Sequence, residues 1–248
     1  MGIGDHWNRL RFGTETQVKE ALRQIQDAYD RDQDASHIME LGSAYLWIRQ
    51  YETAWEHFDL AIQRDPAPGS DFYGMAGVAK WCMGEHQAAV GAWVRGLDAE
   101  FADTAGLGIR LPLLLFFSAV VRPTVYEKHS AELLLTEKTR DPRITEWPGP
   151  IAKWLLGQIT KNDFHGQCSG ADASDTCDRR WLAEFYQGIT QLAEGRRHDF
   201  VKTMRKLASI SGPEWSDETF FLARMWGEEF FLARHEARLS STRQPEHR

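Results

Sequence analysis

The sequence has few cysteines, and it lacks an apolar run long enough to cross a membrane. Its three cysteines, Cys82, Cys168 and Cys177, are too few and odd in number for a disulfide framework in 248 residues. The most apolar run, residues 111–121, covers about half of the roughly 20 residues that a membrane span requires. We interpret this run as a buried helix, with an exposed docking patch as the alternative.

The first residues lack the apolar segment of a secretory signal. A chain without a secretory signal or a disulfide framework suits a reducing compartment. The sequence therefore predicts a cytoplasmic protein that does not use a membrane.

The sequence also contains fewer basic than acidic residues. Lys and Arg number 29 against 36 Asp and Glu, which gives a formal net charge of −7 and disfavours nucleic acid as a partner. Acids outnumber bases roughly two to one over residues 1–104, whereas residues 179–206 are locally basic. This polarity favours a basic protein partner, which would be steered toward the N-terminal half.

The sequence lacks the sustained alternation of apolar and polar residues that is typical of β-strands. Its apolar residues instead recur with the periodicity of an α-helix. In residues 38–66, Ile38, Leu41, Gly42 and Tyr45 lie on one helical face. A second amphipathic helix follows a short turn near residue 50 and ends at a proline. Where the two helices pack, small residues such as Gly42 leave space on one helix. Large residues of the other helix fill that space.

This spacing resembles the tetratricopeptide repeat (TPR), a 34-residue helical hairpin. All eight signature positions are matched in register, by Ile38, Leu41, Gly42, Tyr45, Ala54, Phe58, Ala61 and Pro66. A second copy follows 35 residues later, with Gly77 and Trp93 at the small and large positions, and a weaker third copy spans residues 181–208. The order of elements also resembles bacterial TPR proteins, some of which are immunity proteins encoded beside secreted toxins.

The resemblance implies an all-α fold, a right-handed α-solenoid of TPR-like helical hairpins. We predict one helical domain over residues 1–248, because each repeat must stack on a neighbour to bury its faces. Within it we expect N-terminal repeats at 15–104, divergent helices at 105–160 and a loop at 161–178. A C-terminal degenerate repeat and a terminal helix follow at 179–239, and residues 240–248 are expected to form a disordered tail.

Catalytic and metal-binding patterns are weak throughout the sequence. His165, Cys168 and Cys177 lack a fourth zinc ligand at a familiar spacing, and neither a phosphate loop nor a nucleophile elbow is present. We therefore predict no enzymatic activity, no metal and no cofactor.

The resemblance also implies a binding face, because first helices of this repeat class line the concave side of the solenoid. The positions that correspond here, together with one neighbouring tryptophan, are Met39, Ser43, Leu46, Trp47, Val78, Trp81, Phe185 and Ile189. Trp47 and Trp81 are the expected anchors, since aromatic residues dominate interface energies. The alternative is that the chain fills this face with its own residues 111–117 or its terminal helix.

Three functions remain open from the sequence. The first is a non-enzymatic module that binds a specific protein partner, such as an immunity protein that neutralises a basic toxin domain. The second is a scaffold or adaptor that self-associates into homo-oligomers. The third is an enzyme or regulator with a site in the divergent region 105–180.

Overall fold

The described part of the protein is entirely helical. The computed structural model describes residues 6, 9, 10, 13–32, 34–99, 108–141, 144 and 146–209. Eleven α-helices and no strand occur in these residues, which confirms the all-α class. The helices are α1 (Glu15–Arg31), α2 (Ala35–Trp47), α3 (Tyr51–Arg64), α4 (Ser70–Cys82), α5 (His86–Arg95), α6 (Arg110–Val121), α7 (Lys128–Thr139), α8 (Gly149–Leu155), α9 (Lys161–Gly166), α10 (Ala173–Ala193) and α11 (Arg197–Ser209).

The helices divide between two compact units, with α1 to α5 in the first unit and α6 to α11 in the second. The domain bounds predicted from the sequence, one helical domain over residues 1–248, stay a prediction. The expected terminal helix and tail, residues 210–248, lie outside the described residues.

Three hairpins share one packing arrangement, in which a glycine on the first helix faces a large side chain sixteen residues later. A Cβ atom on Gly42 would lie 2.7 Å from Cε1 of Phe58, and one on Gly188 would lie 2.6 Å from Cε of Met204. Gly77 approaches the indole of Trp93 even more closely. The predicted close approach of helices at the small positions is therefore confirmed.

The hairpin turns also share a backbone conformation. Arg49, Gly84 and Gly195 have φ angles of 66°, 85° and 78°, in the left-handed region. The following amide closes the helix end in each case, as when the Gln50 N–H donates to the Tyr45 carbonyl oxygen at 3.0 Å. This is the Schellman arrangement, in which glycine avoids the steric cost of a Cβ atom.

Because Arg49 occupies a left-handed position that glycine fills in the equivalent turns, Arg49→Gly should stabilise the first unit. We expect a gain of about 1 kcal/mol in the free energy of unfolding, measured by urea unfolding. Gly84→Ala provides the reciprocal control and should lose a similar amount. A loss of stability in Arg49→Gly would contradict the strained-turn interpretation.

The apolar run forms α6, and its side chains are buried as predicted. Leu111, Leu113, Leu114, Leu115, Phe116 and Phe117 are each at most 3% exposed. Phe117 stacks on Phe185 of α10, with ring centroids 5.7 Å apart. A helix covered on all sides explains why this segment is apolar all round rather than amphipathic.

The segment predicted as a loop at 161–178 is mostly helical. Thr160 begins α9 with a capping box, in which its hydroxyl accepts from the Asp163 N–H at 3.2 Å. Phe164 is fully buried and stacks on Trp154 at 4.8 Å, and α10 begins at Ala173. Ser, Thr and Asp favour helix caps as well as loops, which is why composition alone misplaced this segment.

None of the helices in the described ranges is long and apolar enough to cross a membrane.

Candidate functional site

The structure places seven of the eight predicted partner-binding residues in the interior. Six of them are fully buried and Ser43 is 3% exposed; the six are Met39, Leu46, Val78, Trp81, Phe185 and Ile189. Trp47 is partly exposed and packs against the apolar cluster of α1 and α2. Helical periodicity identifies the face that these residues share but not whether the face is covered.

Contacts within each unit account for these buried side chains. Trp81 stacks on Trp93 with centroids 5.6 Å apart, and Ser43 Oγ donates to the Met39 carbonyl oxygen at 2.8 Å. Phe185 lies between aromatic rings on α6 and α10. Of the eight residues predicted to bind a partner, Trp47 is the one that a partner can contact without a rearrangement of the helices.

A groove with a cavity volume of about 870 Å³ lies between α1 and α2 of the first unit, and we call it the acidic groove. The described residues that line it are Gln24, Ile25, Asp27, Ala28, Asp30 and Arg31 of α1, His37 and Glu40 of α2, and His6. Its volume lies within the range of about 300–1,000 Å³ that is typical of ligand pockets. The groove is therefore large enough to receive an entire side chain from a partner.

Local sequence explains why these helices meet at the groove. Helix α1 begins at Thr14, whose capping box with Gln17 was predicted from the sequence and is present. Its buried face carries Ala21 and Ile25, and the groove runs along the edge of this face, since Ile25 also lines it. Three residues separate the end of α1 from the start of α2, where Asp34 accepts from the His37 N–H at 2.8 Å.

Negative charge predominates in the groove. Among the described residues that line it, Asp27, Asp30 and Glu40 carry carboxylates and Arg31 carries a guanidinium. Arg31 Nε donates to the Asp27 carbonyl oxygen at 3.0 Å, which ties its side chain to the end of α1. The groove therefore offers acceptors and negative charge to a cationic group.

A hydrogen-bonded network on α1 orients the groove residues. Arg23 pairs with Glu20 at 2.8 Å and with Asp27 at 2.5 Å, and its hydrogen bond lowers the pKa of Glu20 to about 2. Glu20 is thus ionised at neutral pH and accepts from Gln24 Nε2 at 2.5 Å. Gln24 Oε1 is consequently left as an acceptor, shielded from solvent and without a hydrogen bond.

One group of residues could hold a metal ion within the described ranges. Ligand atoms of Asp32, Asp34 and His37 all lie within 4.8 Å of one another, although the sequence assigned no metal ligands. Both aspartates are exposed, and one carboxylate oxygen of Asp34 already caps α2. We interpret the group as solvated carboxylates at a helix end, because negative charge at a helix N-terminus is stabilised by the helix dipole.

The cysteine and histidine pattern at 165–177 does not form a metal-binding group among the described residues. Cys168 is buried and its thiol donates to the Phe164 carbonyl oxygen at 3.3 Å, while Cys177 is exposed. Burial raises the pKa of the Cys168 thiol, and partial desolvation together with the neighbouring Asp178 carboxylate raises that of Cys177.

The acidic groove was not assigned from the sequence. The sequence feature that relates to it is the excess of acidic residues over residues 1–104. This excess predicted a negatively charged surface but not which residues form the groove. Carboxylates on two helices converge only after the helix ends meet, so their grouping is a property of the fold.

No protein-family model matches the chain, and no curated protein matches it in sequence.

Proposed function

We propose that the protein is a non-enzymatic binding module whose first unit recognises a basic protein partner through the acidic groove. The observation that carries this proposal is the groove of about 870 Å³, which is lined by the exposed carboxylates of Asp27 and Asp30. Positive side chains of a partner would replace water at these carboxylates and gain charge-assisted hydrogen bonds. The net charge of −7 supports the same class of partner by accelerating its approach.

The hairpin geometry supports a repeat architecture for this module. Three hairpins repeat one glycine and large-residue contact and one turn conformation, as TPR-like hairpins of a right-handed solenoid would. We propose this architecture together with the function, since helical repeats of this kind serve as extended binding surfaces.

An immunity protein is the form of this function that we propose first. The resemblance to bacterial TPR proteins of that type supports it, and an acidic surface suits a basic toxin domain. In this form the partner's toxic activity falls to zero at a one-to-one ratio with this chain.

Affinity capture from the source cells, combined with matched charge variants, tests the proposal. The groove variant Asp27→Asn/Asp30→Asn removes two negative charges from α1. The control variant Glu52→Gln/Glu56→Gln removes two from exposed positions of α3, which do not line the groove. Circular dichroism verifies that both variants remain folded.

We expect the wild-type chain and the control to retain one stoichiometric basic partner. Loss of two partly exposed ion pairs should weaken its binding to the groove variant about tenfold, and raised salt should weaken binding to the wild type. Equal affinity of the groove and control variants for the partner would refute a role for the groove.

A further inference from the structure

We infer that the turn between α2 and α3 is a second contact surface, at which Arg49 binds an acidic side chain of a partner protein. This surface is separate from the acidic groove and goes beyond the function proposed for it. The first observation is a backbone conformation. Arg49 has a φ angle of 66°, in the left-handed region, which is less stable for a residue with a Cβ atom than for glycine.

Three backbone hydrogen bonds hold the turn in this conformation. The amides of residues 48–50 donate to carbonyl oxygens in the last turn of α2, at distances of 3.0–3.2 Å. A strained backbone angle persists where the surrounding structure over-determines it, so the direction in which the Arg49 side chain leaves the turn is fixed. A side chain that starts from a rigid backbone loses less conformational freedom on binding than one on a mobile loop.

The guanidinium of Arg49 contributes no polar contact to the described part of the fold. The side chain is exposed, and it forms no hydrogen bond or ion pair with the residues that the structure describes. Arg23 of the same unit differs, because its guanidinium pairs with Glu20 and Asp27. Arg49 therefore keeps its side-chain N–H donors for another molecule.

Arg64 of α3 is also exposed and unpaired among the described residues, but local structure explains its presence. It lies in the last turn of a helix, where the helix dipole stabilises a positive charge. Arg49 has no such local reason, since glycine would be more stable at its position. A residue that lowers stability while its polar group contributes nothing to the described fold is typical of a binding site.

The chemistry of the turn favours a carboxylate that lies next to apolar side chains. A guanidinium forms paired hydrogen bonds with a carboxylate, which a partner protein supplies as an aspartate or glutamate side chain. Trp47 and Ile48 precede Arg49, are partly exposed, and pack against the apolar cluster of α1 and α2. They offer apolar contact beside the charge, and tryptophan and arginine are enriched among the residues that dominate interface energies.

The experiment titrates the full chain with two capped peptides, acetyl-Gly-Leu-Glu-Leu-Gly-amide and its glutamine counterpart, and follows NMR chemical shifts. We expect the glutamate peptide to bind about threefold more tightly than the glutamine peptide, with shifts concentrated in residues 47–50. Arg49→Asn removes the guanidinium but keeps a residue that tolerates the left-handed region, and it should abolish the preference. Arg64→Gln is the matched control and should leave the preference unchanged.

Equal affinity for the two peptides, or a preference that survives Arg49→Asn, would overturn the inference. A preference that falls equally in the Arg64→Gln control would also overturn it, because that result would reflect the overall charge of the chain. The groove variant Asp27→Asn/Asp30→Asn should leave the peptide preference unchanged. The peptide titration and the capture experiment can therefore fail separately, so a failure here leaves the proposed function standing, and the reverse also holds.

Discussion

Replacing Gly77 with alanine is expected to destabilise the first unit by about 3 kcal/mol. The new Cβ atom would lie 2.5 Å from Cδ1 of Trp93 and closer still to its Nε1. Trp93 is fully buried and its Nε1 donates to the Gly74 carbonyl oxygen at 3.1 Å. The indole can move only by losing this hydrogen bond or by displacing Trp81, which stacks on it.

Gly91→Ala is the matched control for this prediction. Gly91 lies in α5, is exposed, and has no atom within 4 Å of the position that a Cβ would take. The substitution should therefore stabilise the unit by about 0.5–1 kcal/mol, since alanine is the better helix former. Urea unfolding followed by circular dichroism measures both variants, and a Gly77→Ala variant as stable as the control would contradict the hairpin packing.

Phe164→Ala is expected to destabilise the second unit by about 4 kcal/mol, as is usual for loss of a fully buried phenylalanine. Its ring lies against Trp154 with an interplanar angle of 6° and also stacks on Trp147, with centroids 6.4 Å apart. Removing it leaves a cavity between two tryptophans and deletes the only buried side chain of α9.

The neighbouring Asn162→Ala is the control, because Asn162 is an exposed residue of the same helix. Its effect on the free energy of unfolding should stay within about 0.5 kcal/mol. A solvated loop at 161–178 would give equally small effects for both substitutions, and that result would refute the helical packing of this segment.

The helices and the contacts within each hairpin were predictable from the sequence. Gly42 and Phe58 illustrate why. Local periodicity shows which residues share a helical face and where a small residue faces a large one. Thr14 is a second example, because its capping box depends on residues three apart in the chain. Each of these features is encoded within one or two helices.

Features that depend on how the helices are covered or joined were not predictable. Met39 and Val78 lie on the face predicted for partner binding, yet both are buried, because covering a face depends on distant parts of the chain. Phe164 belongs to a helix of six residues, and its burial depends on tryptophans that precede it. The acidic groove likewise forms where the end of α1 meets the start of α2.

Hydrogen exchange of the chain, free and bound to its captured partner, tests the central claim most directly. The proposed function predicts slower amide exchange in residues 24–40, around the acidic groove, and unchanged exchange in α3, where the control charges lie. Protection confined to the second unit, or to α3, would place the partner elsewhere and contradict the assignment of the groove as the binding site.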